Sequence, residues 1–362
     1  MPEPAWPPRR PRRRGLGLAA IGLSVAALVT AGSAWAMHSA APAVLTTSQI
    51  AAKVDPGLVD VVSTLGYQRG VSEGTGLVLT SSGEVLTNNH VIAGATSVKV
   101  IDVGNGRTYP AVVVGYDESH DIAVLRLVGA SGLPAVAIGD SSTVAAGQRV
   151  VALGNAGGKG GTPAVATGKI VALRSTITAS DHASGTSEQL TGLIRSNVGI
   201  QPGDSGGPLV STTGRVIGLD TAAGASSSGP QGTATATQAY SIPINGAIAI
   251  ADQIEAGRAS ATTHIGATGF LGVAFQSVPA VPGTSASGAE VAGVVPGSAA
   301  AQTGLTSGDV IVSVDGRQIT APSDIRTALV AHHPGDKISI GWVDQSGQAH
   351  TATVPLTVGP AG

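Results

Sequence analysis

The chain has 362 residues, of which 42% are apolar, 12% charged and 2% aromatic, with 52 glycines and a formal net charge of −2. This suits two folded domains plus extensions, built on small branched side chains and many turns. There is no cysteine, which excludes disulfides, a thiolate nucleophile and a cysteine-rich zinc site, and outside residues 1–14 the chain carries 15 basic against 21 acidic residues, which argues against nucleic acid as a partner.

Residues 1–14 form a basic tail containing Arg9, Arg10, Arg12, Arg13 and Arg14, and residues 15–37 follow without a single charge. At 1.5 Å per residue such a run spans a hydrocarbon core of about 30 Å, and arginines on its N-terminal side place the rest of the chain outside the cell. An N-terminal transmembrane helix is therefore expected, with a single-pass protein whose domains are extracytoplasmic. The alternative is a signal segment cleaved at Ala34-Trp35-Ala36, giving a secreted protein. Residues 38–49 read as a spacer.

From residue 50 to about 256 one pattern dominates. Short Val/Ile/Leu runs, among them LVLT at 77, SVKVIDV at 97, IAVLRL at 122, RVVALG at 149 and RVIGLD at 215, are separated by Gly, Asn, Asp and Ser clusters. Such spacing predicts antiparallel β-barrels or a sandwich. A helix is expected from Asn245, with Ile248, Ala251 and Ile254 at helical spacing and Gly257 as its stop. Residues 257–268 read as a linker, and a second unit runs from 269 to 358.

The strongest chemical signal is Gly203-Asp204-Ser205-Gly206-Gly207-Pro208. A serine hydroxyl is a poor nucleophile at neutral pH and needs a positioned base, while the oxyanion it creates needs preorganised donors. Glycines beside Ser205 let the backbone turn the amides of Gly203 and Ser205 toward one point. Thr87-Asn88-Asn89-His90-Val91-Ile92 presents a histidine as base, and Asp121 in His120-Asp121-Ile122-Ala123 presents the orienting carboxylate. The order His, Asp, Ser is that of the double-barrel serine proteases. Asp117 and His120 read as solvated turn residues, and His182, His264, His332, His333 and His350 as surface residues without metal-ligand spacing, so no metal or cofactor is expected. The glycine-rich segment 154–161 lacks P-loop spacing, since Gly160 follows Lys159.

Together with Gly74-Thr75-Gly76, VVALGNAGG at 150, VIGLDTA at 216 and AYSIPI at 239, these motifs resemble the HtrA/DegP-like family of trypsin-fold serine proteases over residues 50–255. The resemblance implies a double β-barrel in which His90 is the general base, Asp121 orients it and Ser205 attacks, with backbone amides of Gly203, Asp204 and Ser205 at the oxyanion. Asp204 stands where this family commonly has asparagine. In this fold Asn197, Val198, Gly199 and Ile200 would form the floor of the primary specificity pocket, and with no charge among them small aliphatic side chains are the expected choice.

Residues 269–358 resemble a PDZ domain of the bacterial protease type. Leu271, Gly272 and Val273 would present amides to a chain-terminal carboxylate, and Ile325 and Leu329 would wall the peptide groove. The resemblance implies as partners unfolded polypeptides with exposed C-termini, and a homotrimer. The expected function is an endopeptidase for unfolded or misfolded exported proteins. The alternative is a chaperone-like or peptide-binding module with little proteolysis, favoured if the loop around Pro202 and Gly203 is collapsed.

Overall fold

The computed structural model describes residues 43–155, 161–181, 186–224, 238–275 and 288–361. No described helix is long and apolar enough to cross a membrane, and the run at 15–37 lies outside the described residues, as does His182.

A short helix, α1 (Thr47–Val54), opens the described chain within the stretch read as spacer and domain start. Thr46 and Gln49 close its first turn with a reciprocal capping box. Six strands follow: β1 (Leu58–Leu65), β2 (Gly70–Val78), β3 (Glu84–Thr87), β4 (Ser97–Asp102), β5 (Thr108–Asp117) and β6 (Ile122–Leu127), with the single-turn helix α2 (Asn89–Ile92) after β3. They pair in the order β5-β4-β1-β2-β3-β6, and a further β5–β6 pairing joins the two ends. Six more strands close a second barrel: β7 (Arg149–Gly154), β8 (Ala164–Asp181), β9 (Thr186–Ser196), β10 (Pro208–Ser211), β11 (Val216–Gly224) and β12 (Gln238–Pro243), in the order β10-β11-β12-β9-β8-β7. Closure leaves few strand edges exposed, which suits a chain this rich in Val and Ile.

The helix expected from Asn245 is α3 (Ile244–Glu255). Its Ile244, Ala247, Ala251 and Ile254 enter the same cluster as Ile50 and Val54 of α1, Leu77, Leu86 and Ile122 of the first barrel, and Leu153, Val210 and Leu219 of the second. One apolar core thus runs between the barrels and joins α1, α3 and both barrels. Each fully buried Leu or Ile in it contributes about 1.5–3 kcal/mol.

The segment read as a linker is partly structural. Its strand β13 (Thr263–Ile265) pairs with β5 through Thr263–Asp117, His264–Tyr116 and Ile265–Gly115. Two expectations are corrected here. Asp117 is 2% exposed and accepts from the hydroxyls of Thr262, Thr263 and Ser119. Burial alone would raise its pKa, but these bonds and that from His120 hold it below the ordinary carboxylate value. His264, expected at the surface, is 1% exposed: its ring nitrogens face the carbonyl oxygens of Val330 (2.6 Å) and Ala267 (3.0 Å), and it stacks between Tyr116 and His333.

The last unit contains β14 (Gly269–Phe270), β15 (Val273–Phe275), β16 (Ala289–Val294), β17 (Val310–Val314), β18 (Arg317–Gln318), α4 (Pro322–Leu329), β19 (Lys337–Val343), β20 (Ala349–Pro355) and β21 (Thr357–Val358). Its main sheet runs β15-β16-β17-β19-β20, which leaves β15 at an edge, and it has its own core around Val291, Ile311, Ile340 and Trp342.

Candidate active site

His90 sits on α2, immediately beyond β3. Val91 and Ile92, 1% and 0% exposed, pin that turn into the first barrel. Asp121 ends the tight turn between β5 and β6 at φ 54°, a left-handed conformation that aspartate tolerates better than most residues. Its amide donates to Glu118 O at 3.1 Å, and its carbonyl accepts from the Asn88 side chain at 2.9 Å. The carboxylate is thereby fixed beneath His90. Oδ1 accepts the His90 amide at 2.9 Å, and the two oxygens lie 3.0 and 2.9 Å from His90 Nδ1. An imidazole held this way keeps its proton on Nδ1 and presents Nε2 as the basic nitrogen.

Thr221, which the sequence reading did not single out, bridges the barrels. Its hydroxyl donates to Asp121 Oδ2 at 2.5 Å, and its carbonyl oxygen lies 3.3 Å from the Ser205 hydroxyl. A residue on β11 of the second barrel therefore touches both Asp121 and Ser205. No spacing rule reveals it, because Thr221 and Asp121 stand 100 positions apart and are brought together only by the packing of the barrels.

The nucleophile loop is held from both sides. Thr75 donates its amide to Ser205 O at 2.7 Å and its hydroxyl to Gly203 O at 2.9 Å, and receives the Asn155 amide at 3.1 Å. Gly206 donates to Asp220 O at 2.7 Å, and Asp220 donates to Gly207 O at 2.8 Å. Gly203 and Gly206 have φ of 98° and 84°, which turns the loop around the serine. Gly74 is required for a different reason: a Cβ there would stand 2.6 Å from Val91 and 3.0 Å from Ser205 O.

The amides of Gly203 and Ser205 donate to no protein group among the described residues. The Asp204 amide, expected as a third donor, is instead committed to Gln201 O at 3.0 Å. Its carboxylate turns back to accept the Gln201 amide at 2.7 Å, and burial raises its pKa.

Of the expected pocket residues, Val198 and Ile200 are 0% and 5% exposed and pack into the second barrel's core. The chain alternates there, so only Asn197 and Gly199 face outward, and Asn197 Oδ1 is engaged by the Lys169 amide at 2.7 Å. In the last unit Gly272 has φ 79° and no room for a Cβ beside Ser298. Its carbonyl accepts from Val295, that of Leu271 accepts from Ala300, and the Leu271 and Gly272 amides have no acceptor among the described residues. Ile325, expected in the groove wall, is 3% exposed and belongs to the core, because α4 turns that face inward. Leu329, one turn on, stays partly exposed.

Residues 74–219 match the family described as trypsin-like peptidase domain, and residues 269–356 match the PDZ domain. The chain is 32% identical to serine protease PepD of Mycobacterium tuberculosis, over 98% of this chain and 80% of that protein. It is 33% identical to serine protease Do-like HtrA of Lactobacillus helveticus, over 74% of this chain and 65% of that one. With the periplasmic serine endoprotease DegP of Salmonella typhimurium it shares 32% identity, over 80% of this chain and 58% of that one. The chain thus spans most of the first relative's length but less than two thirds of the other two.

Proposed function

Because this chain belongs to the HtrA/DegP family of serine proteases, with a trypsin-like peptidase domain followed by a PDZ domain, we propose that it cleaves unfolded or misfolded exported polypeptides and selects them by their exposed C-termini. The observation that carries this reading is the Asp121–His90 pair, joined through Thr221 to Ser205, in a loop whose Gly203 and Ser205 amides have no acceptor among the described residues. Ser205 Oγ attacks the scissile carbonyl carbon while His90 Nε2 takes its proton, and the amides of Gly203 and Ser205 receive the oxyanion. Collapse of the tetrahedral adduct breaks the C–N bond as His90 returns the proton to the leaving amine, and water then hydrolyses the acyl-serine by the same route.

Selection follows from the PDZ unit. The unclaimed amides of Leu271 and Gly272 suit a terminal carboxylate, and the edge of β15 that has no strand partner among the described residues suits an added peptide strand. Asn197 and Gly199 offer no charge to the residue before the cleaved bond, which favours small aliphatic side chains there. Residues 15–37 serve as a membrane anchor that leaves both domains outside the cell, and the assembly is a trimer.

Cleavage of reduced, unfolded casein and of a folded control by residues 38–362 tests the reading, with an apolar C-terminal peptide added in its free-acid and C-amidated forms. Cleavage of casein alone, with only the free-acid peptide bound, is the expected result. Binding without cleavage under every condition would replace it with a peptide-binding module.

A further inference from the structure

Behind the nucleophile loop lies a second carboxylate for which the reaction as derived has no use. Asp220 is 0% exposed. Its backbone holds the loop through Gly206 N and Gly207 O, at 2.7 and 2.8 Å. One side-chain oxygen accepts the Ser241 hydroxyl at 2.6 Å, and the other is buried without a partner. Asp204, 6% exposed and adjacent to Ser205, likewise has one oxygen on the Gln201 amide and one buried and unpartnered. The groups that act on Asp220 are thus Ser241 from β12 and the carboxylate of Asp204 from the loop. No cationic side chain pairs with it among the described residues.

A carboxylate with one hydroxyl donor and no counter-charge is costly to ionise in a barrel interior. A second carboxylate nearby raises that cost. We propose that Asp220 is a positioning residue that works in its protonated form, holding Gly206 and Gly207 so that Ser205 and the oxyanion amides stay aligned, and that its ionisation releases the loop and shuts off proteolysis on the alkaline side. An anion at this position has to draw in water or shift β11, and either movement strains the two main-chain bonds that fix the serine. Burial first, and the Asp204 charge as a smaller cause, push the group up to about 8, while the Ser241 bond acts in the opposite direction. The switch therefore falls within a range the enzyme can experience. Its sign is opposite to that of a general base, which rising pH activates.

This inference rests on the protease reading. The experiment follows initial rates of fluorescein-casein hydrolysis from pH 5 to 10 for the wild type, Asp220→Asn, Asp204→Asn and Ser205→Ala. The wild type is expected to lose roughly tenfold in rate between pH 7.5 and 9, as one ionisation requires. Asp220→Asn, neutral at every pH, is expected to hold its rate across that interval to within about twofold. Asp204→Asn is expected to keep the alkaline limb but move it to lower pH, whatever its maximal rate, which keeps the test open if Asp220→Asn fails to fold. An alkaline limb unchanged in either variant, or no limb in the wild type, overturns the proposal. Cleavage absent in the wild type, or undiminished in Ser205→Ala, would instead count against the protease reading.

Discussion

Thr221 shows how much of the site depends on single contacts. Its hydroxyl is the donor that the second barrel supplies to Asp121, and hydrogen bonds to charged groups contribute about 1.5–3 kcal/mol. Thr221→Val keeps the shape and removes the donor, so kcat/KM on casein should fall by roughly 10- to 100-fold with the fold intact by circular dichroism. Asp220 also makes stability depend on pH. Its folded pKa of about 8 lies above the unfolded value near 4. The protonated form is therefore favoured by the fold, and this stability is fully present below about pH 4 and lost as pH rises through 8. Thermal melts of Asp220→Asn should accordingly exceed the wild type at pH 8 and converge with it near pH 4. At this scale the sequence pointed to His90, Asp121 and Ser205, because each sits in a local motif, and the structure sets His90 on Asp121 and links Asp121 to Ser205 through Thr221. Thr221, the committed amide of Asp204 and the inward turn of Val198, Ile200 and Ile325 were not legible, since each depends on which side chains the barrels, or α4 and its sheet, bring together.

The elements that carry the site are short and depend on glycine where backbone meets backbone. Gly206, at φ 84°, faces Thr75 O and Thr87 Oγ1 so closely that an added Cβ collides with both. Gly206→Ala should displace the nucleophile loop at a cost of about 1–3 kcal/mol and reduce turnover by at least about 100-fold, seen together as a lower melting temperature and lost casein cleavage. Gly272→Ala meets the Ser298 side chain in the PDZ unit. Isothermal titration with an apolar C-terminal peptide should show binding lost there, while the rate on casein without peptide persists. Most strands were readable from their Val/Ile/Leu runs and turn residues, and α3 from its helical period. β13 was not, because three residues flanked by polar ones carry no period, and only pairing with β5 makes Thr263–Ile265 a strand. The same pairing buries His264, whose polar surroundings in sequence had suggested the surface.

At the scale of the molecule, the PDZ unit and the residues after it meet the first barrel beside α2 and the β5–β6 turn, which carry His90 and Asp121. Arg326 of α4 pairs with Glu118 at 2.7 Å, three residues before Asp121, and Ala361 exchanges hydrogen bonds with Gly94 and Ala95, just beyond α2. The Arg326–Glu118 pair is partly exposed and contributes about 0–1 kcal/mol, and beside it the Tyr67–Phe270 ring stack and the buried His264, which faces Val330 O, join the units. The two-domain plan was legible from composition and motif order, whereas the way a supposed linker becomes part of the first sheet was not. All of this rests on Ser205 being the residue the site activates. The direct measurement is labelling of residues 38–362 with a fluorophosphonate at pH 7.5, followed by peptide mass mapping, alongside His90→Ala. The account predicts one adduct, on the peptide containing Ser205, and its near disappearance in His90→Ala. An adduct on another residue, or equal labelling without His90, would contradict it.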